Sequence, residues 1–220
     1  ALLDDETVLV LMSDHGFAPF YWGVNLNTWL SQNGYLTRKA SLFAQRGGYF
    51  SGVEWDKTQA YALGLNGLYL NLKGREKSGC VDPSEYDATL DRLEADLLAL
   101  VDPRTGKNPI TLVTRPRRDF TGPLKDKGPD IIVGYSWGYR SSWESPLGEF
   151  PKAVFVDNME AWSGDHCIDN RAVPGILLAN RDITLDKPAL HDLTVAVLDE
   201  FAVEPLPEMI GQDCLGSPLP

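Results

Sequence analysis

Asp14 and His15 stand side by side in Ser13-Asp14-His15-Gly16-Phe17, directly after the apolar run Thr7-Val8-Leu9-Val10-Leu11-Met12. A carboxylate next to an imidazole is metal-ligand chemistry. Both groups donate to a divalent cation, and the turn that Gly16 allows lets two adjacent side chains face one ion. The chain has three histidines, and a second repeats the pattern: His166 follows Asp165 in Trp162-Ser163-Gly164-Asp165-His166-Cys167. One Asp-His pair alone is as readily a loop feature, the Asp capping a turn and the His hydrogen-bonded nearby. Two such pairs, the first at a strand end, favour a metal. His191 is read as a helix-start residue beside Asp192, without a catalytic part. Tyr135, Trp137, Tyr139, Arg140 and Trp143 cluster farther along. The aromatics can pack under a loop, stack a base or line a pocket, Arg140 can contact a phosphate, and Arg140 and Tyr139 are the candidate substrate-binding residues. The patch Arg115-Pro116-Arg117-Arg118 reads as a solvated strand end. Cys167 reads as a small buried apolar residue and not as a soft ligand.

These residues need elements to hold them. The run before Ser13 reads as a buried strand, rich in Val and Leu, and in open α/β sheets the ligand crevice lies outside the carboxyl ends of the strands. Residues 25–32 have helical spacing, stopped by Asn33-Gly34. Residues 37–56 show no period and read as loop. Residues 60–72 read as strand with a turn at Asn66-Gly67. Leu90, Leu93, Leu97, Leu98 and Val101 mark one face of a helix opened by Pro83-Ser84 and ended by Asp102-Pro103. Strands are expected at 110–114, 130–135, 153–156 and 175–179, a last helix at 190–201, and an irregular tail from 204. Strands alternating with helices predict an α/β fold: a mostly parallel central sheet with flanking helices, plus a small inserted α/β subdomain. The expected parts are a first core segment at 1–52, the insert at 53–128 and a second core segment at 129–220.

The chain has 220 residues, 43% hydrophobic and 23% charged, enough for one sizeable core with a small subdomain. A net charge of -11 argues against a nucleic-acid polymer as partner, which needs a basic footprint. It leaves room for a small phosphorylated substrate held by metal ions, which bring their own positive charge. No run approaches the roughly 20 apolar residues that span a bilayer. The acidic opening Asp4-Asp5-Glu6 is unlike a signal peptide. Three scattered cysteines, Cys80, Cys167 and Cys214, make no disulfide framework and mildly favour a reduced, cytoplasmic compartment.

The stretches VLVLMSDHGF, VNLNTWLSQNGYL, WDKTQAYALGLNGLYLN, PDIIVGYSWGYRSSW and WSGDHCIDNRAVPGILLANR resemble the alkaline phosphatase superfamily. The resemblance is closest to its type I phosphodiesterase/nucleotide pyrophosphatase branch and to predicted phosphohydrolases or phosphomutases, and it covers nearly the whole chain. It implies two divalent metals, usually zinc with manganese or iron as alternatives, at the edge of a central sheet. By that resemblance Asp14 and His15 bind one metal and His166 the other, with Asp165 behind His166, orienting it. Two metals roughly 4 Å apart clamp the attacking and leaving oxygens of a phosphoryl transfer. Such enzymes also carry an Asp followed by a Thr or Ser nucleophile, and an Asp four residues before a metal-binding His. Here the positions four before the histidines are Leu11, Trp162 and Lys187, and no nucleophile element precedes Asp14. The expectation is a carboxyl-terminal half of a two-metal phosphoric ester hydrolase, its partner the upstream half, and nearly inactive alone. A phosphomutase, a sulfate or phosphonate ester hydrolase, and a non-catalytic binding module are the alternatives.

Overall fold

The computed structural model describes residue 4, residues 7–40 and residues 48–218. The acidic opening apart from Asp4 and Gly47 with the rest of loop segment 41–47 lie outside the described residues, as do 219 and 220 of the tail. In chain order the elements are β1 (Val10–Met12), β2 (Ala18–Val24), α1 (Leu26–Gln32), β3 (Ala60–Ala62), β4 (Gly67–Leu70), α2 (Tyr86–Leu98), β5 (Ile110–Thr114), α3 (Pro116–Asp119), β6 (Ile131–Tyr135), β7 (Gly138–Ser141), β8 (Phe155–Asp157), β9 (Gly164–Asp165), β10 (Leu177–Ala179), β11 (Arg181–Ile183), α4 (Leu190–Glu200) and β12 (Leu215–Pro218). The fold is mixed α/β, with several small sheets and few helices. It forms two compact units, Phe17–Val173 and the paired segments Ala1–Gly16 and Pro174–Pro220.

In the unit Phe17–Val173, β2 is the centre of one sheet. It runs parallel to β7 and antiparallel to β8 and β9, meeting β8 at 22–24 and β9 at 18–19. A second sheet has the order β3-β4-β6-β5 and is antiparallel throughout. Helix α2 begins where the Asp82 carboxylate accepts the Ser84 N–H at 3.1 Å, with Pro83 in the turn between. Its Leu90, Leu93 and Leu97 are buried in one core with Leu68, Leu70, Ile131 and Val133 of the second sheet. The expected insert at 53–128 shares that sheet with β6, which lies beyond residue 128.

In the other unit, β1 pairs antiparallel with β10, Val10 opposite Ala179 and Met12 opposite Leu177. β11 pairs antiparallel with β12. Helix α4 starts at an Asp192 carboxylate that accepts the N–H groups of Ala189 at 2.8 Å and Gln212 at 2.9 Å. Ala196, Cys214 and Leu215 are its buried core.

Two expectations are corrected. The sheets are largely antiparallel, where a mostly parallel central sheet was expected; β2 with β7 is the parallel pair among the strands described. Only four residues join β3 to β4, with Gly64 turned to φ +75°, and a connection that short can only make a hairpin. For β1 and β10 an apolar run carries no information about direction. The strand before Ser13 is also shorter and less covered than expected: Leu11 is 51% exposed in a ribbon of two strands. No described helix is long and apolar enough to cross a membrane.

Several carboxylates of Phe17–Val173 are held ionised by their neighbours, which sets an acid limit on stability. Burial pushes Asp102 upward, but hydrogen bonds from Arg104 and Tyr139 outweigh it and leave its carboxyl below the usual range. Arg171 holds Asp169 low in the same way, against burial. A carboxyl whose folded pKa lies below its unfolded value of about 3.9 binds fewer protons folded than unfolded. Its stabilisation is complete above the unfolded value and is lost as pH falls through the folded one. The melting temperature is expected to stay level from pH 7 to about 5 and to fall below about pH 4. Melts followed by circular dichroism across that range check this, and a level value down to about pH 3 would contradict it.

Candidate metal-ligand sites

The segment after β1 is pinned by its neighbour across the ribbon. Ser13 N donates to Ile176 O at 3.0 Å, and Ile176 N donates to Ser13 Oγ at 3.0 Å. Gly175 permits this approach, because a Cβ there would lie 2.5 Å from Ser13 O. Asp14 therefore starts from a fixed backbone. Its Oδ1 accepts the His15 N–H at 3.1 Å, and its Oδ2 lies 3.6 Å from His15 Nε2. His15 Nδ1 is 2.9 Å from the carbonyl of Gly16. A carbonyl only accepts, so Nδ1 is the donor in that contact, and Nε2 faces the carboxylate. The Asp14 side chain is 71% exposed and that of His15 30%. A cavity of about 720 Å³ borders Asp14, walled by Met12, Ile176, Leu185 and Leu193, with Lys187 also on its lining. An imidazole nitrogen and a carboxylate oxygen this close fit a borderline or hard divalent cation.

In the unit Phe17–Val173, Asp165, His166 and Cys167 bring ligand atoms within 4.8 Å of one another. They are unequal as donors. Asp165 Oδ1 accepts the backbone N–H groups of His166 at 2.7 Å and Cys167 at 2.9 Å, and its Oδ2 faces Arg140 Nη1 at 3.0 Å. Burial alone would raise Asp165, but the Cys167 N–H and the Arg140 charge hold it below the usual carboxylate range. The cation at Asp165 is thus a guanidinium. Burial, with Asp165 nearby, pushes the Cys167 thiol up. His166 is the remaining donor, 42% exposed, with its ring edge-on to Phe17 at 5.5 Å between centroids. Asp165 meets His166 at its backbone N–H and not at its ring, since 3.8 Å from Oδ1 to Nδ1 is too long for a hydrogen bond.

Arg140 and Tyr139, candidate substrate contacts in the sequence, lie inside the unit. Arg140 is 2% exposed, its guanidinium 4.9 Å from the Phe20 ring centre and 4.1 Å from that of Trp143. Its Nη1 meets Asp165 at ion-pair distance with the N–H bonds misdirected, so Nε and Nη1 have no hydrogen-bond acceptor among the described residues. Tyr139 is fully buried. Its hydroxyl donates to Asp102 at 3.1 Å and lies 2.6 Å from that of Thr105. Of the aromatics in this stretch, Trp137 and Trp143 are the exposed ones. The basic patch is solvated at Arg117 and Arg118 but not at Arg115. Arg115 is buried, bonded to Asp87 at 2.8 Å and to Asp91 on the acidic face of α2, and Arg118 bonds Glu94 at 2.8 Å. His191 is exposed, 3.5 Å from Asp192.

Sequence reading missed the Arg140–Asp165 pair and a buried hub at Asp130. Pairing across β2 at a separation of 25 residues has no local signal, and Asp130 looked like an ordinary strand start. The family model described as type I phosphodiesterase / nucleotide pyrophosphatase matches residues 1–149, a span that holds Asp14, His15 and Arg140 and stops before His166. No curated protein and no solved structure matches the chain.

Proposed function

The chain belongs to the type I phosphodiesterase / nucleotide pyrophosphatase family, and from that premise we propose that it serves metal-dependent hydrolysis of a phosphoric ester, its substrate a phosphate ester or nucleotide. The supporting observation is the Asp14–His15 pair, an exposed carboxylate 3.6 Å from an imidazole nitrogen whose partner nitrogen is tied to Gly16. Asp14 and His15 would hold one divalent ion and His166 a second, with zinc the best match to these donors. When bound, the ions polarise the phosphoryl oxygens and lower the pKa of an attacking hydroxyl or water.

The protein's own groups do the holding. The Gly16 carbonyl accepts from His15 Nδ1 and leaves Nε2 facing Asp14. Ser13, clamped to Ile176, sets where the Asp14 carboxylate starts. Asp165 binds the two N–H groups that fix the direction in which His166 leaves the backbone. Three donors, Asp14, His15 and His166, are too few for two four-coordinate ions, so we propose that the chain supplies part of the donor set. Assayed on a bis-nitrophenyl phosphodiester with added zinc, the 220-residue chain is expected to turn over slowly, and to stop on chelation and in Asp14→Asn. A rate that chelator leaves intact, or no zinc-dependent rate at all, would overturn the metal role. Rapid zinc-dependent turnover would overturn the partial donor set.

A further inference from the structure

Arg140 lies on β7, paired through β2 from the strand that carries Asp165. Its side chain crosses Phe20 of β2, is covered by Trp143, and ends 3.0 Å from Asp165 Oδ2. A guanidinium this thoroughly desolvated is costly unless a counter-charge and aromatic faces compensate it. Its location has one structural consequence within reach: it fixes the carboxylate whose other oxygen gathers the His166 and Cys167 N–H groups. Hydrogen bonds to an ionised acceptor are the short, strong ones, and these are 2.7 and 2.9 Å. The order of contact is Arg140, Asp165, then the backbone of His166.

We infer that Arg140 is a positioning residue for His166: through Asp165 it locks the turn that aims the imidazole, and it does not touch substrate. The inference rests on the proposed role of His166 as a ligand. Partners that stand behind a ligand typically cost 10–100-fold in metal affinity when removed, and an effect of about tenfold is expected here. Zinc is titrated into the 220-residue chain while the ring signals of His15, His166 and His191 are followed by ¹H–¹³C NMR. In Arg140→Met the His166 response should move to about tenfold higher zinc, with the His15 response unmoved and the thermal melt still cooperative. Arg140→Lys, which returns a positive charge, should recover part of the loss. Adding Arg140→Met to Asp165→Asn should change little beyond Asp165→Asn alone, because the effect travels through that carboxylate. Should Arg140→Met fail to fold, Asp165→Asn is read instead, and its His166 response should weaken by at least about threefold. An unmoved His166 response in a folded Arg140→Met, or in Asp165→Asn where Arg140→Met is unfolded, overturns the inference. A wild-type His166 signal that ignores zinc overturns the reading beneath it instead.

Discussion

Asp130→Ala is expected to destabilise the chain by about 3–5 kcal/mol, the usual cost of stranding the partners of a buried ion pair. Asp130 is almost fully buried at the entry to β6. Its Oδ1 accepts from Arg75 Nη1 at 2.9 Å and from the Tyr86 hydroxyl at 2.8 Å. Its Oδ2 accepts from Arg75 Nη2 and from Leu70 N, both at 2.7 Å. One side chain at the entry to β6 thereby joins β4 and the start of α2. Hydrogen bonds to Asp130 hold the Arg75 guanidinium well above its ordinary pKa; burial, then Asp130, pushes the Tyr86 hydroxyl up. Alanine would leave Leu70 N and Tyr86 Oη without an acceptor, each worth about 1–3 kcal/mol when buried. Arg75 is about a third exposed and regains water, which keeps the total near the lower end of the range. Arg75→Ala should cost less, since Leu70 and Tyr86 keep their acceptor. Urea unfolding checks the order, and a loss below about 1 kcal/mol in Asp130→Ala would show that the hub holds little.

The second large effect is on binding, with almost none on stability. His15→Ala and Asp14→Asn should each weaken divalent-ion affinity by more than about 100-fold, beyond the range typical of residues that merely support a ligand. The Asp14 carboxylate is exposed, and among the described residues its polar contacts are with His15, so Asp14→Asn should change stability by less than about 0.5 kcal/mol. Competition against a chromophoric zinc chelator gives the affinity, and urea unfolding gives the stability.

Much of the local structure was legible because it follows from spacing. Leu90, Leu93 and Leu97 mark the buried face of α2, Asn33-Gly34 ends α1, and the apolar runs at 110–114 and 131–135 are strands. Strand direction was not legible. Val, Leu and Ile fill a strand equally well whether its neighbour runs parallel or antiparallel, so β1, β4 and β5 carried no mark of their antiparallel partners. The Asp14-His15 and Asp165-His166 pairs stood out because their members are adjacent in sequence. Charges that find one another across the fold left no such trace. The 3.0 Å ion pair of Arg140 with Asp165 was hidden by the 25 residues between them. Arg115 read as solvated because nothing in Arg-Pro-Arg-Arg shows that α2 turns Asp87, Asp91 and Glu94 toward it. Tyr139 looked available until its hydroxyl was seen bound to Asp102 inside the core.

The three histidines provide the most direct test of the metal-ligand assignment. A diamagnetic ion such as zinc shifts the ring signals of the imidazoles that ligate it and has little effect on the others. On adding it to the whole chain, the signals of His15 and His166, each assigned with an alanine variant, are expected to shift at metal concentrations that leave His191 in place. Equal shifts of all three together, or a shift of His191 before His15 and His166, would contradict the assignment of Asp14, His15 and His166 as the metal-holding residues of this chain.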